Sequence, residues 1–163
     1  PVHTESCHEW MTIDYEFPAR GDLPPVKLTW YDGGKKPSLA GTQGIPADWQ
    51  SGVLFIGSDG MLLADYKRHK LLPEDKFDGF EPPQPTIPTS IGHHAEWIEA
   101  CKTGGPTTCN FAYSGPLTEA ALLGAVSYRT GRKIQWDAKN LKAAGCPEVD
   151  PLLNRPYRQG WTL

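Results

Sequence analysis

No glycine-rich phosphate loop occurs in this sequence: it has neither a G-x-G-x-x-G run after a strand nor G-x-x-x-x-G-K-[ST]. That excludes nucleotide binding by the two commonest loop designs. No G-x-S-x-G is present for a nucleophile elbow. No apolar run approaches the roughly 20 residues that span a bilayer, and no leader peptide is visible. Basic charge is not in excess. With 16 Lys and Arg against 19 Asp and Glu the net charge is -3 and the cations are scattered, so nothing draws the chain to nucleic acid. The four cysteines, Cys7, Cys101, Cys109 and Cys146, are too far apart for a CxxC zinc site or a dense disulfide framework. They read as a small hydrophobe on a helix (Cys101) and three loop thiols, which leaves the redox compartment open. His3, Cys7 and His8 form the one grouping with metal-chelating side chains, and a metal there is the minor reading.

The apolar fraction is low at 39%, while 17 Gly and 16 Pro are many for 163 residues. A modest core connected by long ordered loops follows, within a single domain over 1–163. The chain opens on Pro1 rather than Met, which reads as a processed or truncated product and leaves cytoplasm and periplasm equally open.

Alternation marks the strands. Ile13, Tyr15 and Phe17 share one face of Thr12 to Phe17, and Val26-Lys-Leu-Thr-Trp alternates in the same way. A breaker-rich turn, Pro18 to Pro25, separates them. Residues 36–51 read as loop. Asp59-Gly60 between two apolar runs, Gly52 to Gly57 and Met61 to Tyr66, predicts a tight hairpin. Prolines 73, 82, 83, 85 and 88 predict an extended internal connection over 72–89. A first helix is expected from an N-cap at Ser90 to a stop at Thr103-Gly104, with Ile91, His94, Ala95, Ile98 and Cys101 facing a sheet. A second is expected from Ser114-Gly-Pro to Gly131, with close packing at Gly124. Lys133-Ile-Gln-Trp should rejoin the sheet, and 137–145 and 147–153 should be short helical turns. The expected fold class is α+β: an open, mainly antiparallel sheet with helices packed on one face.

Several runs carry a family likeness. Asn110-Phe-Ala-Tyr-Ser-Gly-Pro-Leu-Thr-Glu-Ala, Tyr128-Arg-Thr-Gly-Arg-Lys-Ile-Gln-Trp-Asp and Tyr157-Arg-Gln-Gly-Trp resemble the C-terminal domain of the Gfo/Idh/MocA oxidoreductases, especially the dehydrogenases of planctomycete-type bacteria. Tyr15-Glu-Phe-Pro-Ala-Arg-Gly-Asp-Leu-Pro-Pro, Leu28-Thr-Trp-Tyr-Asp-Gly-Gly-Lys-Lys-Pro and Gly92-His-His-Ala-Glu-Trp-Ile extend the likeness over nearly the whole chain. The resemblance implies a substrate and oligomerisation domain that partners an N-terminal Rossmann domain binding NAD(P), and that Rossmann half is missing here. It implies a sugar or cyclitol-like substrate and a homo-oligomer formed through the open sheet. The family's Glu-Lys-Pro lysine and its Gly-Cys-His-x-x-Asp run are both lacking; Glu9, Trp10 and Met11 follow Cys7-His8 where an Asp would be needed. No catalytic or cofactor-binding residue is therefore carried over, and the chain is expected to be inactive alone. Two further readings share the resemblance: a stand-alone binding or oligomerisation module, and part of an NAD-dependent glycosidase of the same family.

Four residues are candidates for substrate contact. His93 and His94 open the first helix, where its dipole favours neutral imidazole; they reach a substrate at a pocket edge, or one packs inward while the other is solvated. Asp32 and Lys35 (with Lys36) flank a glycine turn within reach of a polyol or carboxylate, unless that turn is a solvated hairpin tip. Trp30, Trp97 and Trp136 suit a sugar ring, but their placement favours core or interface. Glu74-Asp75, in the proline-rich loop, lack a fixed acid–base geometry.

Overall fold

A computed structural model describes residues 6–154 and 156–161. The chain is mixed α/β and divides into two compact units, one comprising Gly34–Pro88 and the other the residues up to Gly33 together with those from Thr89 on.

In the larger unit, β1 (Thr12–Phe17) and β2 (Val26–Tyr31) form an antiparallel hairpin in which Ile13 faces Trp30, Tyr15 faces Leu28 and Phe17 faces Val26. The alternation in both strands thus puts six apolar side chains on one face. Helix α1 (His93–Thr103) and helix α2 (Phe111–Thr130) follow. Gly104 and Gly131 adopt left-handed conformations (φ 70° and 64°) and end the two helices where expected. Helix α2 lies on β1 at Gly124, its buried residue, beside Ile13 and Tyr15.

The second helix starts three residues before the expected Ser114. Asn110 caps it, its side chain accepting the Tyr113 amide at 3.1 Å. Pro116 therefore lies inside the helix rather than at an early position that needs no amide donor, and leaves one intrahelical bond unmade. Ser90 is not the N-cap of α1; that position is Gly92, and the Ser90 hydroxyl instead accepts the Gly92 amide and reaches Glu96.

Ala143, Cys146 and Val149 form a small core with Val126, Ile134, Trp136 and Leu153. This core corrects three expectations. Trp136 does not rejoin β1 and β2; β6 (Trp136–Asp137) pairs with β7 (Lys142–Ala143) because Ile134 and Trp136 turn toward Val149. The segment 137–145 is accordingly a hairpin, not a helical turn. Cys146 is a buried hydrophobe rather than a loop thiol, while the helical Cys101 is exposed. Residues 147–153 are helical as read, a 3-10 turn at Pro147–Val149 leading into α3 (Asp150–Leu153).

The smaller unit holds a meander of β3 (Val53–Ile56), β4 (Met61–Ala64) and β5 (His69–Leu72). Its first hairpin turns over Asp59-Gly60 as the sequence signals. Tyr66 is not in the strand: Asp65 bonds the Lys67 and Arg68 amides at 2.8 Å and makes a turn there. The loop before β3 contributes Ile45, Leu39 and Trp49 to a core with Leu63 and Leu72.

Where one open sheet was expected, the strands make separate sheets of two, three and two strands. Each hairpin is short and closes within its own unit. Nor does α1 pack its apolar face on a sheet: none of its residues is buried, and Trp97 is 65% exposed.

Candidate functional site

Asp32 follows the last residue of β2, and its position is set by the chain before β1. Its main-chain amide donates to the Met11 carbonyl at 3.2 Å, while the Met11 amide donates to its Oδ1 at 2.7 Å. Oδ2 lies 2.8 Å from Nε2 of His8 and 3.4 Å from the indole nitrogen of Trp30. The His8 ring in turn meets Tyr128 of α2 edge-on, with centroids 5.3 Å apart. Burial pushes the Asp32 carboxyl upward, but the bonds from His8, Met11 and Trp30 outweigh it, and the group is held below the usual carboxylate range. Asp32 is therefore a clasp that fixes the entering chain to the hairpin and, through His8, to α2. It is not a solvated hairpin tip. No local pattern signalled this pairing, because 24 residues separate the two partners.

The glycine turn beside it is equally committed. A side-chain carbon at Gly33 would fall 2.2 Å from the Glu9 carbonyl oxygen and 2.4 Å from the Trp10 Cβ, so its space is filled by this chain's own main chain. A pyrophosphate has no room at that position. Lys35, also exposed, belongs to the other unit, as does Lys36, whose ammonium donates to the Ala47 carbonyl at 2.8 Å.

His93 and His94 stand exposed in the first turn of α1 with their ring centroids 4.3 Å apart. Neither packs inward. Among the described residues, no hydrogen bond or ion pair joins them to Asp32. Next to them Glu96 accepts from the Ser90 hydroxyl, from the Thr108 hydroxyl at 2.6 Å and from the Thr108 amide at 3.1 Å. These bonds, that from Ser90 foremost, hold its carboxyl below the usual range. The carboxylate ties both flanks of α1 together, with the His93 imidazole close enough to act on it electrostatically.

On α2 a shallow hollow is lined by Phe111, Ser114, Thr118, Glu119 and Leu122. Glu119 accepts the Trp136 indole N–H at 2.7 Å, which places Trp136 in the core, whereas Trp30 and Trp97 stay exposed. An aromatic ring beside two hydroxyls and a carboxylate is the composition that stacks and hydrogen-bonds a polyol. Sequence reading missed this hollow because it put Phe111 outside the helix. Glu74 belongs to a 3-10 turn and pairs with Lys70 at 2.7 Å. No group of three or more metal-ligating side chains occurs among the described residues; His3, one of the suggested metal ligands, lies outside them.

No protein-family model, curated protein or solved structure matches this chain.

Proposed function

We propose that this chain is the C-terminal substrate domain of an NAD(P)-dependent oxidoreductase resembling the Gfo/Idh/MocA enzymes, acting on a sugar or cyclitol and inactive alone. Hydride transfer needs a nicotinamide held against the substrate carbon, with a base within hydrogen-bond reach. The sequence carries no glycine-rich phosphate loop, and this reading assigns the dinucleotide to a separate Rossmann half.

The observation that carries the reading is uncovered apolar surface. The chain exposes 13922 Å², whereas two separate compact domains of these sizes would together expose roughly 9,600 Å². Part of the excess is in side chains that cores normally hide: Trp97 and Ile98 on α1, and Phe111, Leu117 and Leu122 on α2. A domain whose helices await a second domain has this character. The exposed His93–His94 pair and the hollow at Phe111 supply its contacts to substrate hydroxyls.

Two measurements on the pure chain test it: nicotinamide absorbance with a panel of sugars and cyclitols, and tryptophan fluorescence titrated with the same panel. The expected outcome is no turnover with NAD or NADP, and quenching by at least one polyol. Turnover by the chain alone overturns the reading, and a panel without any fluorescence response removes the substrate assignment.

A further inference from the structure

The run Glu81-Pro-Pro-Gln-Pro-Thr-Ile-Pro closes the smaller unit and belongs neither to the histidine pair nor to the hollow on α2. It leaves from a fixed point. The Phe80 ring meets Phe77 edge-on with centroids 6.3 Å apart, and the Phe80 amide donates to the Phe77 carbonyl at 3.0 Å. From Glu81 to Thr89 every residue is exposed, and among the described residues none of them makes a hydrogen bond or ion pair. The run is exposed yet stiff. Proline fixes its own φ and pushes the residue before it into extended conformations. Of residues 81–88, four are proline and Glu81, Gln84 and Ile87 each precede one, so Thr86 alone escapes both constraints. These constraints favour the left-handed extended helix of three residues per turn, which sets Pro82 and Pro85 on one edge roughly 9 Å apart. The chain bends at Ile87, so the straight edge ends before Pro88.

We infer that Glu81 to Thr86 is a docking ligand for a different protein, one whose groove is lined with aromatic side chains and rimmed with cations. Aromatic rings pack against the flat faces of Pro82 and Pro85, and their hydroxyl or indole donors take the carbonyls that this segment leaves unpaired. Because the segment is already stiff, binding costs it little conformational entropy. Charge sets the rim. Upstream of the prolines lie Glu74, Asp75, Lys76, Asp78 and Glu81, four acids against one cation, and no Asp, Glu, Lys or Arg follows before Glu96. Glu74 pairs with Lys70, whereas the side chains of Asp78 and Glu81 make no ion pair among the described residues. A connector that only spans distance needs neither aligned prolines nor an unpaired acidic flank. This inference goes beyond the redox reading above and does not depend on it.

The test is NMR titration of the isotope-labelled full chain with two sets of purified SH3 and WW domains, one set with basic and one with acidic groove rims. The amides of Glu81, Gln84 and Thr86 report, since proline has none. Shifts confined to these amides and their neighbours are expected with the basic-rimmed set. Affinity should fall about tenfold in Pro82→Ala, Pro85→Ala and Glu81→Lys, and hold in Thr86→Ala. All four substitutions lie in exposed chain without side-chain contacts, and an unchanged spectrum elsewhere shows that each variant stays folded. No response to any domain of either set overturns the inference. Binding that survives both proline substitutions overturns the proline edge, and tighter binding to the acidic rims overturns the charge assignment.

Discussion

The hydroxyl of Tyr15 sits against the main chain of Gly124, so close that a side-chain carbon on that glycine would lie 2.3 Å from it. One hydrogen atom at position 124 is therefore what lets α2 lie on β1. The phenol is buried there without a partner of hydrogen-bonding geometry, and burial pushes its pKa upward, opposed by the Gly124 main chain.

Gly124→Ala is expected to destabilise the chain by about 1–3 kcal/mol, because overpacking outweighs the gain in helix propensity. Tyr15→Phe alone should cost little, since the hydroxyl it removes makes no bond. In the double variant the loss at Gly124 should shrink. Urea denaturation of the four proteins checks this; additive effects would contradict direct contact.

That relationship was half legible in the sequence. A glycine inside an apolar helix signals close packing, and the alternation at Ile13 and Tyr15 gave the face that α2 meets. The helix stops at Gly104 and Gly131 and the turn over Asp59-Gly60 were readable because each depends on one residue's backbone freedom. The start of α2 was misplaced because Pro116 is a familiar first-turn residue, and the Asn110 cap six positions earlier was the weaker signal. Strand β5 was missed because His69-Lys-Leu-Leu has no clear alternation. The His8–Asp32 clasp depends on a pairing 24 residues apart, which no local pattern encodes; the separate sheets and the burial of Cys146 come from neighbouring segments, and what escaped the sequence was that the hairpins do not join into one sheet.

Asp32 is more acidic in the folded chain than its ordinary value of 3.8. The folded state thus binds fewer protons there, and the stabilisation, complete above that ordinary value, is lost as pH falls through the lower folded value. Asp32→Asn is expected to flatten the decline in stability between about pH 4 and pH 2. Asp32→Ala, which leaves the Met11 amide and His8 without their acceptor, should cost about 1–3 kcal/mol at neutral pH. Chemical denaturation at a series of pH values reads both, and an unchanged acid limb in Asp32→Asn would contradict the clasp.

Glu96 joins the segment before α1 to the loop after it through Ser90 and Thr108. Glu96→Ala should leave global stability close to that of the parent but speed amide exchange at Thr108 several-fold, because that amide loses its acceptor. Hydrogen exchange followed by NMR is the measurement. Unchanged protection at Thr108 would show that the loop is held by other contacts.

The most direct test of the domain reading is calorimetric titration of the pure chain with NAD, NADP and a set of sugars and cyclitols. The account predicts saturable heat with at least one polyol and none with either dinucleotide, because the sequence holds no glycine-rich phosphate loop. Saturable binding of NAD or NADP to the chain alone would contradict it.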